Sequence, residues 1–148
     1  MHRERKVLYD VIAQGQLGGI RISAPSVQRL FIDAGLALSD YRISLDLVKD
    51  VDKHTIQVSG TSLEALFKNW LNANAALFNE KKYLPYRIVF TVFDGKKIEA
   101  TLTGETYESH RHGYPKPFNE LSREGFSFQP APDDAGLFHA QFLLTSAS

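Results

Sequence analysis

The chain has 148 residues, with 17 Lys and Arg residues against 17 Asp and Glu residues, and it contains no Cys. This length is sufficient for one domain with a sizeable hydrophobic core. The balanced charge excludes a large positive field that would attract nucleic acid or anionic membranes to the whole surface. The absence of Cys excludes thiol catalysis, Cys-ligated zinc and disulfides. We therefore expect a single domain over residues 1–148, with any RNA contact confined to one part of its surface.

The sequence contains no segment that suggests membrane insertion or export. No apolar run approaches the roughly 18 residues that a membrane-spanning helix requires. The first six residues are mostly charged and lead into a strand-like segment rather than into the apolar core of a signal peptide. We expect no membrane contact and a cytoplasmic location.

The first elements are two short strands and a helix. Residues 7–12 form an apolar run typical of a buried strand, and residues 14–19 contain three glycines that favour a turn. This turn lacks the Gly-Lys-Ser/Thr ending of a phosphate-binding loop. Residues 20–22 resume as a strand. Apolar residues at three-and-four spacing then predict an amphipathic helix, with Pro25 at its first helical position.

The middle of the chain predicts a strand and a second helix. Residues 41–48 are ambiguous, since they alternate like a strand but end in a polar run, whereas residues 54–59 are more clearly a strand. Thr61 and Glu64 have the spacing of a capping box at the start of an amphipathic helix over residues 61–78. Asn74 interrupts its apolar stripe and would need a hydrogen-bond partner if buried.

The C-terminal half predicts two antiparallel pairs. Residues 86–93 and 96–103 flank Asp94-Gly95, which suits the two-residue turn of a hairpin. Residues 126–129 and 138–144 are typical of a final pair of strands. Together these elements predict an α+β fold, a two-layer sandwich in which two amphipathic helices pack on one face of a mostly antiparallel sheet.

The densest group of functional side chains lies at residues 110–116. In an extended segment His110 and His112 would project to the same side, as metal ligands do. Alternatively, Arg111 offers a fork to phosphate or carboxylate, and Tyr107 or Tyr114 offers a face for a base. A solvated loop without a function is the third interpretation. The sequence alone leaves all three open.

Other candidate groups are weaker. Asp133-Asp134 precedes Ala135-Gly136 in a short connection, a pattern typical of a turn rather than of a metal-binding pair. No Ser-His-Asp set and no pair of carboxylates with a recognisable spacing is present. The residues themselves therefore indicate a domain with a basic, His-containing loop, and we assign no catalytic residue and no cofactor from them.

Three segments follow one another in a specific order. They are residues 30–38, residues 63–78 with Trp70-Leu71-Asn72, and residues 104–112, which read Gly-Glu-Thr-Tyr-Glu-Ser-His-Arg-His. In order and spacing they resemble the archease family, including its Gly-Glu-x-Phe/Tyr-Asp-x-x-Arg-His segment. The resemblance covers nearly the whole chain. It implies an accessory protein, not an enzyme, that assists an RtcB-type RNA ligase in tRNA splicing or RNA repair.

The chain departs from the family where the resemblance implies a metal site. The family's His-Thr-Ala-Asp motif corresponds to residues 14–17, so Gln14 replaces the imidazole and Leu17 the aspartate. The terminal Asp-Ile corresponds to Thr145 and Ser146. A hard cation needs charged oxygen ligands, and neither Leu17 nor Thr145 supplies a carboxylate. The resemblance therefore implies that the metal site has been lost.

Part of the family's polar set is retained. Its Thr-Tyr-His motif corresponds roughly to residues 122–124, where Glu124 replaces the histidine, whereas Arg111 and His112 match directly. The family's next lysine is displaced to Lys116. One hypothesis is that Arg111, His112 and Lys116, with His110 beside them, reach the ligase, its nucleotide or RNA phosphate.

Two other hypotheses come from different classes of protein. The first is a binding module for another protein or ligand, built on the archease scaffold and without ligase-cofactor activity. The second is a metal enzyme that uses His110, His112 and Glu124, for which tight stoichiometric metal binding is the minimum requirement. The metal enzyme ranks last.

Overall fold

The computed structural model of the protein describes residues 7–145. The strands are β1 (Asp10–Gln14), β2 (Leu17–Ala24), β3 (Asp52–Ser59), β4 (Tyr83–Phe93), β5 (Lys97–Thr106), β6 (Ser127–Gln129) and β7 (Phe138–Leu143). The helices are α1 (Val27–Arg42), α2 (Leu63–Lys81) and the single turn α3 (Ser109–His112), with a 3-10 turn at Leu45–Leu47. In this part of the chain no helix combines the length and apolar character needed to cross a membrane.

The described strands form two sheets, with the orders β1-β2-β7-β6 and β3-β5-β4. Every strand pairing within residues 7–145 is antiparallel. The predicted α+β fold with mostly antiparallel pairing is confirmed, with the strands divided between two sheets where the prediction named one. Helix α1 carries the chain from β2 in the first sheet toward β3 in the second. The edge strand β4 has two irregularities in its pairing, between Pro85 and Arg87 and between Phe90 and Val92.

One hydrophobic core joins both sheets to the two long helices. Helix α1 contacts α2, β2, β4 and β7, and α2 also contacts β3, β4 and β5. Trp70 is fully buried, and its indole N–H donates to Phe31 O at 2.7 Å, which ties α2 to α1. Edge-to-face contacts place Phe31 against Phe67 at 4.9 Å and Phe93 at 5.0 Å between ring centroids, so aromatic residues from separate elements share one cluster.

Both long helices begin one or two residues after the predicted start. The cap of α1 is Ser26, whose hydroxyl accepts from Arg29 N at 3.1 Å, so Pro25 precedes the helix instead of opening it. The cap of α2 is Ser62, whose hydroxyl accepts from Ala65 N at 3.1 Å. The predicted capping box of Thr61 and Glu64 is therefore wrong. In each case a neighbouring Ser is the residue with extended backbone torsions.

The structure also settles three segments that the sequence left uncertain or placed differently. Residues 41–48 are not a strand, because α1 continues to Arg42 and a 3-10 turn follows. The β4–β5 turn has three residues instead of two, since Asp94 Oδ1 accepts from Lys96 N at 3.0 Å and Lys97 N at 2.8 Å. The first strand begins at Asp10, so the predicted strand at residues 7–12 is shifted toward the C-terminus.

Candidate functional site

The segment at residues 107–117, which we call the basic loop, follows the end of β5. Its central part is not extended, because Ser109–His112 forms one helical turn that ends at Gly113 with φ 76°. The expected side-by-side projection of His110 and His112 is therefore wrong. The two residues lie in different environments, since His110 is exposed to solvent and His112 is buried, at 5% exposed.

Glu105 is the residue around which the basic loop is organised. It is only 6% exposed. Arg111 holds its carboxylate with both terminal nitrogens, of which Nη1 lies 3.2 Å from Oε2. Lys49 N donates to the same Oε2 at 2.7 Å, and His112 Nε2 lies 2.9 Å from it. Glu105 therefore joins the end of β5, the basic loop and the segment that precedes β3.

The hydrogen bonds of His112 define its tautomer. Glu108 N donates to Nδ1 at 2.8 Å, so Nδ1 carries no proton. The proton of the neutral ring then lies on Nε2 and is donated to Glu105. The ring also stacks on Tyr107, at 5.7 Å between centroids and an angle of 26°. As arranged, His112 supports the loop from inside and does not face solvent.

The surroundings of Glu105 keep it ionised. Burial raises the pKa of the carboxyl, but the hydrogen bonds from Arg111, Lys49 N and His112, with the charge of Arg111, outweigh burial and lower the pKa of Glu105 to about 2. Arg111 is also 3.7 Å from Glu108, so the guanidinium is already neutralised on two sides although its side chain is 38% exposed. Its first role is to hold the loop.

Lys116 connects the basic loop to helix α1. Its backbone N–H donates to Arg42 O at 3.0 Å, and its ammonium lies 4.6 Å from the centroid of the Tyr41 ring. The Tyr41 hydroxyl in turn lies 2.6 Å from where a β-carbon of Gly18 would be, so a larger residue at Gly18 would displace the Tyr41 side chain. Tyr41 thus contacts both Lys116 and the start of β2.

The described positions at which the sequence resemblance implies a lost metal site lie where three segments of the chain meet, which we call the hairpin corner. It comprises residues 14–19, 122–125 and 144–145. Gln14 pairs with Leu17 across the turn, and Gly18 O accepts from Leu144 N at 2.8 Å. Gln14 Oε1 lies 3.3 Å from where a β-carbon of Gly125 would be.

The remaining corner residues have local partners. The hydroxyl of Thr145 is 3.2 Å from both Glu120 N and Glu120 O, and Glu124 N donates to Ser122 Oγ at 3.1 Å. Ser146 lies outside the described residues. Within residues 7–145, no three His, Cys, Asp or Glu side chains are grouped closely enough to hold a metal ion.

The turn interpretation of Asp133 is confirmed. Its Oδ1 accepts from Ala135 N and Leu137 N, both at 2.9 Å, and its Oδ2 lies 2.6 Å from His139 Nε2. Both backbone bonds lie within the connection that leads into β7. The carboxylate of Asp133 is thus used to close a loop, as expected for an acid next to Ala-Gly.

A buried arginine is the feature that sequence reasoning missed. Arg42 is 5% exposed, and its guanidinium is stacked between Phe78 at 4.4 Å and Phe118 at 3.8 Å. Burial lowers the pKa of Arg42 to about 10. Among the described residues its hydrogen-bond acceptor is Ala75 O at 3.5 Å, and no carboxylate lies within 4.0 Å. The signal available was Arg42 itself, a charged residue in the last turn of an apolar helix.

Asn74 lies against the same recess as Arg42. The recess is lined by Ser39, Arg42, Asn74, Phe78, Pro85 and Phe118 among others and has a volume of about 10 Å³, the space of about one water molecule. Asn74 Nδ2 donates to Trp70 O at 2.8 Å, whereas Oδ1 is buried without a partner. The sequence indicates that a buried Asn74 needs a hydrogen-bond partner. The amide nitrogen has one, whereas the amide oxygen has none.

The fold and these residues agree with the comparison to known proteins. The model of the Archease protein family (MTH1598/TM1083) matches residues 18–117. This range is more than half of the chain and includes both long helices and the whole basic loop. The chain therefore belongs to the archease family. Gln14, Leu17, Glu124 and Thr145 all lie outside the matched range.

A solved structure shows the same fold. The chain is similar to the solution structure of Methanobacterium thermoautotrophicum protein 1598, with a TM-score of 0.68 and 18% sequence identity. The similarity covers 93% of this chain and 97% of the other. At this identity it supports the fold alone. The comparison with curated proteins gave no match.

Proposed function

We propose that this archease-family protein is an accessory factor of an RtcB-type RNA ligase, without catalytic activity of its own. The observation that carries the proposal is the basic loop. It lies inside the range that matches the family, and a buried carboxylate, Glu105, fixes Arg111 and His112 in one arrangement. In this proposal the loop contacts the ligase or its RNA through its exposed side chains, His110, Arg111 and Lys116, and the protein works in the cytoplasm.

In this role the chain itself holds no metal ion. At the hairpin corner Leu17 has an apolar side chain, and the Thr145 hydroxyl is already bonded to Glu120. Neither offers the anionic oxygen that a hard divalent cation prefers. Any metal needed for ligation would then be bound by the ligase itself. The protein's contribution is a contact surface.

The test is multiple-turnover RNA ligation by the RtcB-type ligase of the same host, with GTP and metal, in the presence and absence of this protein. We expect more turnovers in its presence. Lys116→Glu should remove most of the stimulation, because it reverses an exposed charge without breaking a carboxylate pair in the described structure. Lys96→Glu, at the tip of the β4–β5 turn, is the charge-matched control and should retain it.

Arg111→Ala is a less direct test. It removes the main cation that neutralises buried Glu105, so a loss of activity would also follow from a disordered loop. Equal turnover with and without the folded protein, when the ligase is demonstrably active, would contradict the proposal. That result would favour a binding module for another partner on the same scaffold.

A further inference from the structure

Tyr114 is the most exposed large hydrophobic side chain among residues 7–145, at 97%. Its backbone is nevertheless fixed on both sides. The Tyr107 hydroxyl donates to Gly113 O, and Lys116 N donates to Arg42 O at 3.0 Å. Pro115 follows Tyr114 directly, which restricts the backbone further. The loop therefore presents one aromatic ring to solvent on a support that loses little freedom on binding.

Three lysines have their backbone in or beside the same loop. Lys49 N is bonded to Glu105, Lys82 O accepts from Tyr107 N, and Lys116 stands over Tyr41. Within the described residues, none of their ammonium groups has a carboxylate within 4.0 Å. The Lys82 ammonium lies 5.2 Å from the Phe78 ring, which itself packs on Tyr107. This arrangement gives local positive charge on a chain whose net charge is zero.

We propose that the basic loop binds unpaired nucleotides of single-stranded RNA. A base stacks on Tyr114, and the ammonium groups of Lys49, Lys82 and Lys116 contact the phosphates on either side. The inference rests on the proposed function, which supplies RNA as the class of ligand, and adds the part of the RNA and the residues that bind it. An exposed ring, on a loop with lysines that have no carboxylate partner in the described residues, fits a base with its phosphates, because every base offers a face for stacking.

A protein partner fits this surface less well. The core of a protein interface requires several adjoining apolar side chains. Tyr114 is flanked by Gly113 and Pro115, and the charged groups Arg111 and Lys116 lie two or three residues away. The surface thus favours single-stranded nucleic acid over a peptide.

The binding should have a measurable signature. Stacking on one aromatic ring contributes roughly 1–3 kcal/mol per base, which corresponds to about 5- to 150-fold in affinity. Each phosphate contact to a single strand changes the slope of log K against log salt by about −0.7, so three contacts give a slope of about −2. A neutral chain without these contacts would show almost no slope.

The experiment measures fluorescence anisotropy of a labelled seven-nucleotide single-stranded RNA with the full chain, at several salt concentrations. We expect the single strand to bind at least about tenfold more tightly than a blunt duplex of equal length. Tyr114→Ala should weaken binding about tenfold, whereas Tyr114→Phe, which keeps the ring, should stay within about twofold. Lys49→Glu should reduce the magnitude of the slope of log K against log salt by about 0.7.

Matched controls exclude general effects. Val89→Ala truncates a 52% exposed side chain on β4, and Lys96→Glu reverses a charge at the hairpin tip. Both should bind as the wild type does, and circular dichroism should show that every variant is folded. Equal affinity of wild type and Tyr114→Ala would overturn the inference, as would a wild type that does not bind the single strand at up to about 1 mM.

The ligation assay separates this inference from the proposed function. RNA binding that depends on Tyr114, without any stimulation of the ligase, supports the inference and contradicts the proposed function. If the wild type stimulates the ligase but does not bind RNA, and Tyr114→Ala loses the stimulation, the proposed function stands. That second result overturns the inference, because Tyr114 would then contact the ligase.

Discussion

At the scale of single residues, Glu105 explains why a Gly-Glu pair precedes the basic loop. A β-carbon on Gly104 would lie 2.0 Å from Leu84 O, so this position must be glycine for β4 and β5 to pair. The next residue, Glu105, then sits at the end of β5 with its carboxylate bound to Arg111, His112 and Lys49 N. Gly104 thus permits the pairing of β4 and β5, and Glu105 fixes the basic loop.

Glu105 should make the stability of the protein depend on acidic pH. Its pKa is lowered to about 2 from 4.5, so the folded state favours the ionised form. The resulting stabilisation is fully present above pH 4.5 and is lost as pH falls toward 2, with a size of roughly 3 kcal/mol. The free energy of unfolding, measured with urea, should differ less between pH 7 and pH 3 in Glu105→Gln than in the wild type.

The exposed carboxyl of Glu64 is the matched control for this experiment. Glu64→Gln removes one carboxylate from the surface of α2 and should retain the wild-type difference between the two pH values. An unchanged difference in Glu105→Gln would show that Glu105 is not held as described. The comparison needs no assumption about the other acids, since they are common to all three proteins.

In the folded arrangement, His112 should carry its ring proton on Nε2. The reason is that the backbone N–H of Glu108 donates to Nδ1, which leaves only Nε2 to carry the proton toward Glu105. Long-range ¹H–¹⁵N correlation spectra of the imidazole should show one protonated and one unprotonated nitrogen, with the proton on Nε2. A proton on Nδ1 would contradict the described geometry. Exposed His110 in the same spectra serves as an internal reference.

At the scale of elements, sequence periodicity located the helices and the hairpin but not their ends. Three-and-four spacing identified α1 and α2, because the buried core selects apolar residues at that period. The start of α2 was misplaced because Thr61 and Ser62 are both good caps, and only the backbone torsions distinguish them. The turn at α3 was missed, since four residues are too few for any periodicity.

The corrected cap leads to a prediction with a built-in control. Ser62→Ala should lower the free energy of unfolding by about 1 kcal/mol, because the hydroxyl of Ser62 satisfies Ala65 N at 3.1 Å. Thr61→Ala should change it by much less. Urea denaturation of both variants followed by circular dichroism measures the two effects side by side. A larger loss of stability in Thr61→Ala than in Ser62→Ala would instead support a capping box of Thr61 and Glu64.

At the scale of the whole molecule, the sequence predicts the strand pairs that are consecutive in the chain, β4 with β5 and β6 with β7, and the structure confirms both. The sequence could not predict the pairing of β2 with β7 or of β3 with β5, because those strands are distant from each other in the chain. The same holds for the site. Arg111, His112 and Lys116 stood out in the sequence, whereas their partners Glu105, Lys49 N and Tyr41 come from other elements. The grouping of Gln14 with Thr145 at one corner likewise requires the fold.

The shared core predicts one cooperative unfolding transition for the whole chain. Trp70 is the only Trp, and it packs among residues that link both helices to both sheets. Its fluorescence and the far-ultraviolet circular dichroism should therefore change at the same urea concentration. Two separate midpoints would show that the sheets unfold independently and would contradict a single domain. Trp70→Phe removes both the fluorophore and the indole donor to Phe31 O, and its circular dichroism transition should move to lower urea.

The two irregularities of β4 bear on how copies of this protein behave toward one another. At 11 residues β4 is the longest strand described, and one of its edges is unpaired in the β3-β5-β4 sheet. Pro85 removes a donor from this strand, and the register shifts at Pro85/Arg87 and Phe90/Val92 interrupt its straight ladder. A second chain would therefore find no long regular template for strand addition along β4. The irregularities that shape this strand thus make its free edge a poor site for the addition of another copy.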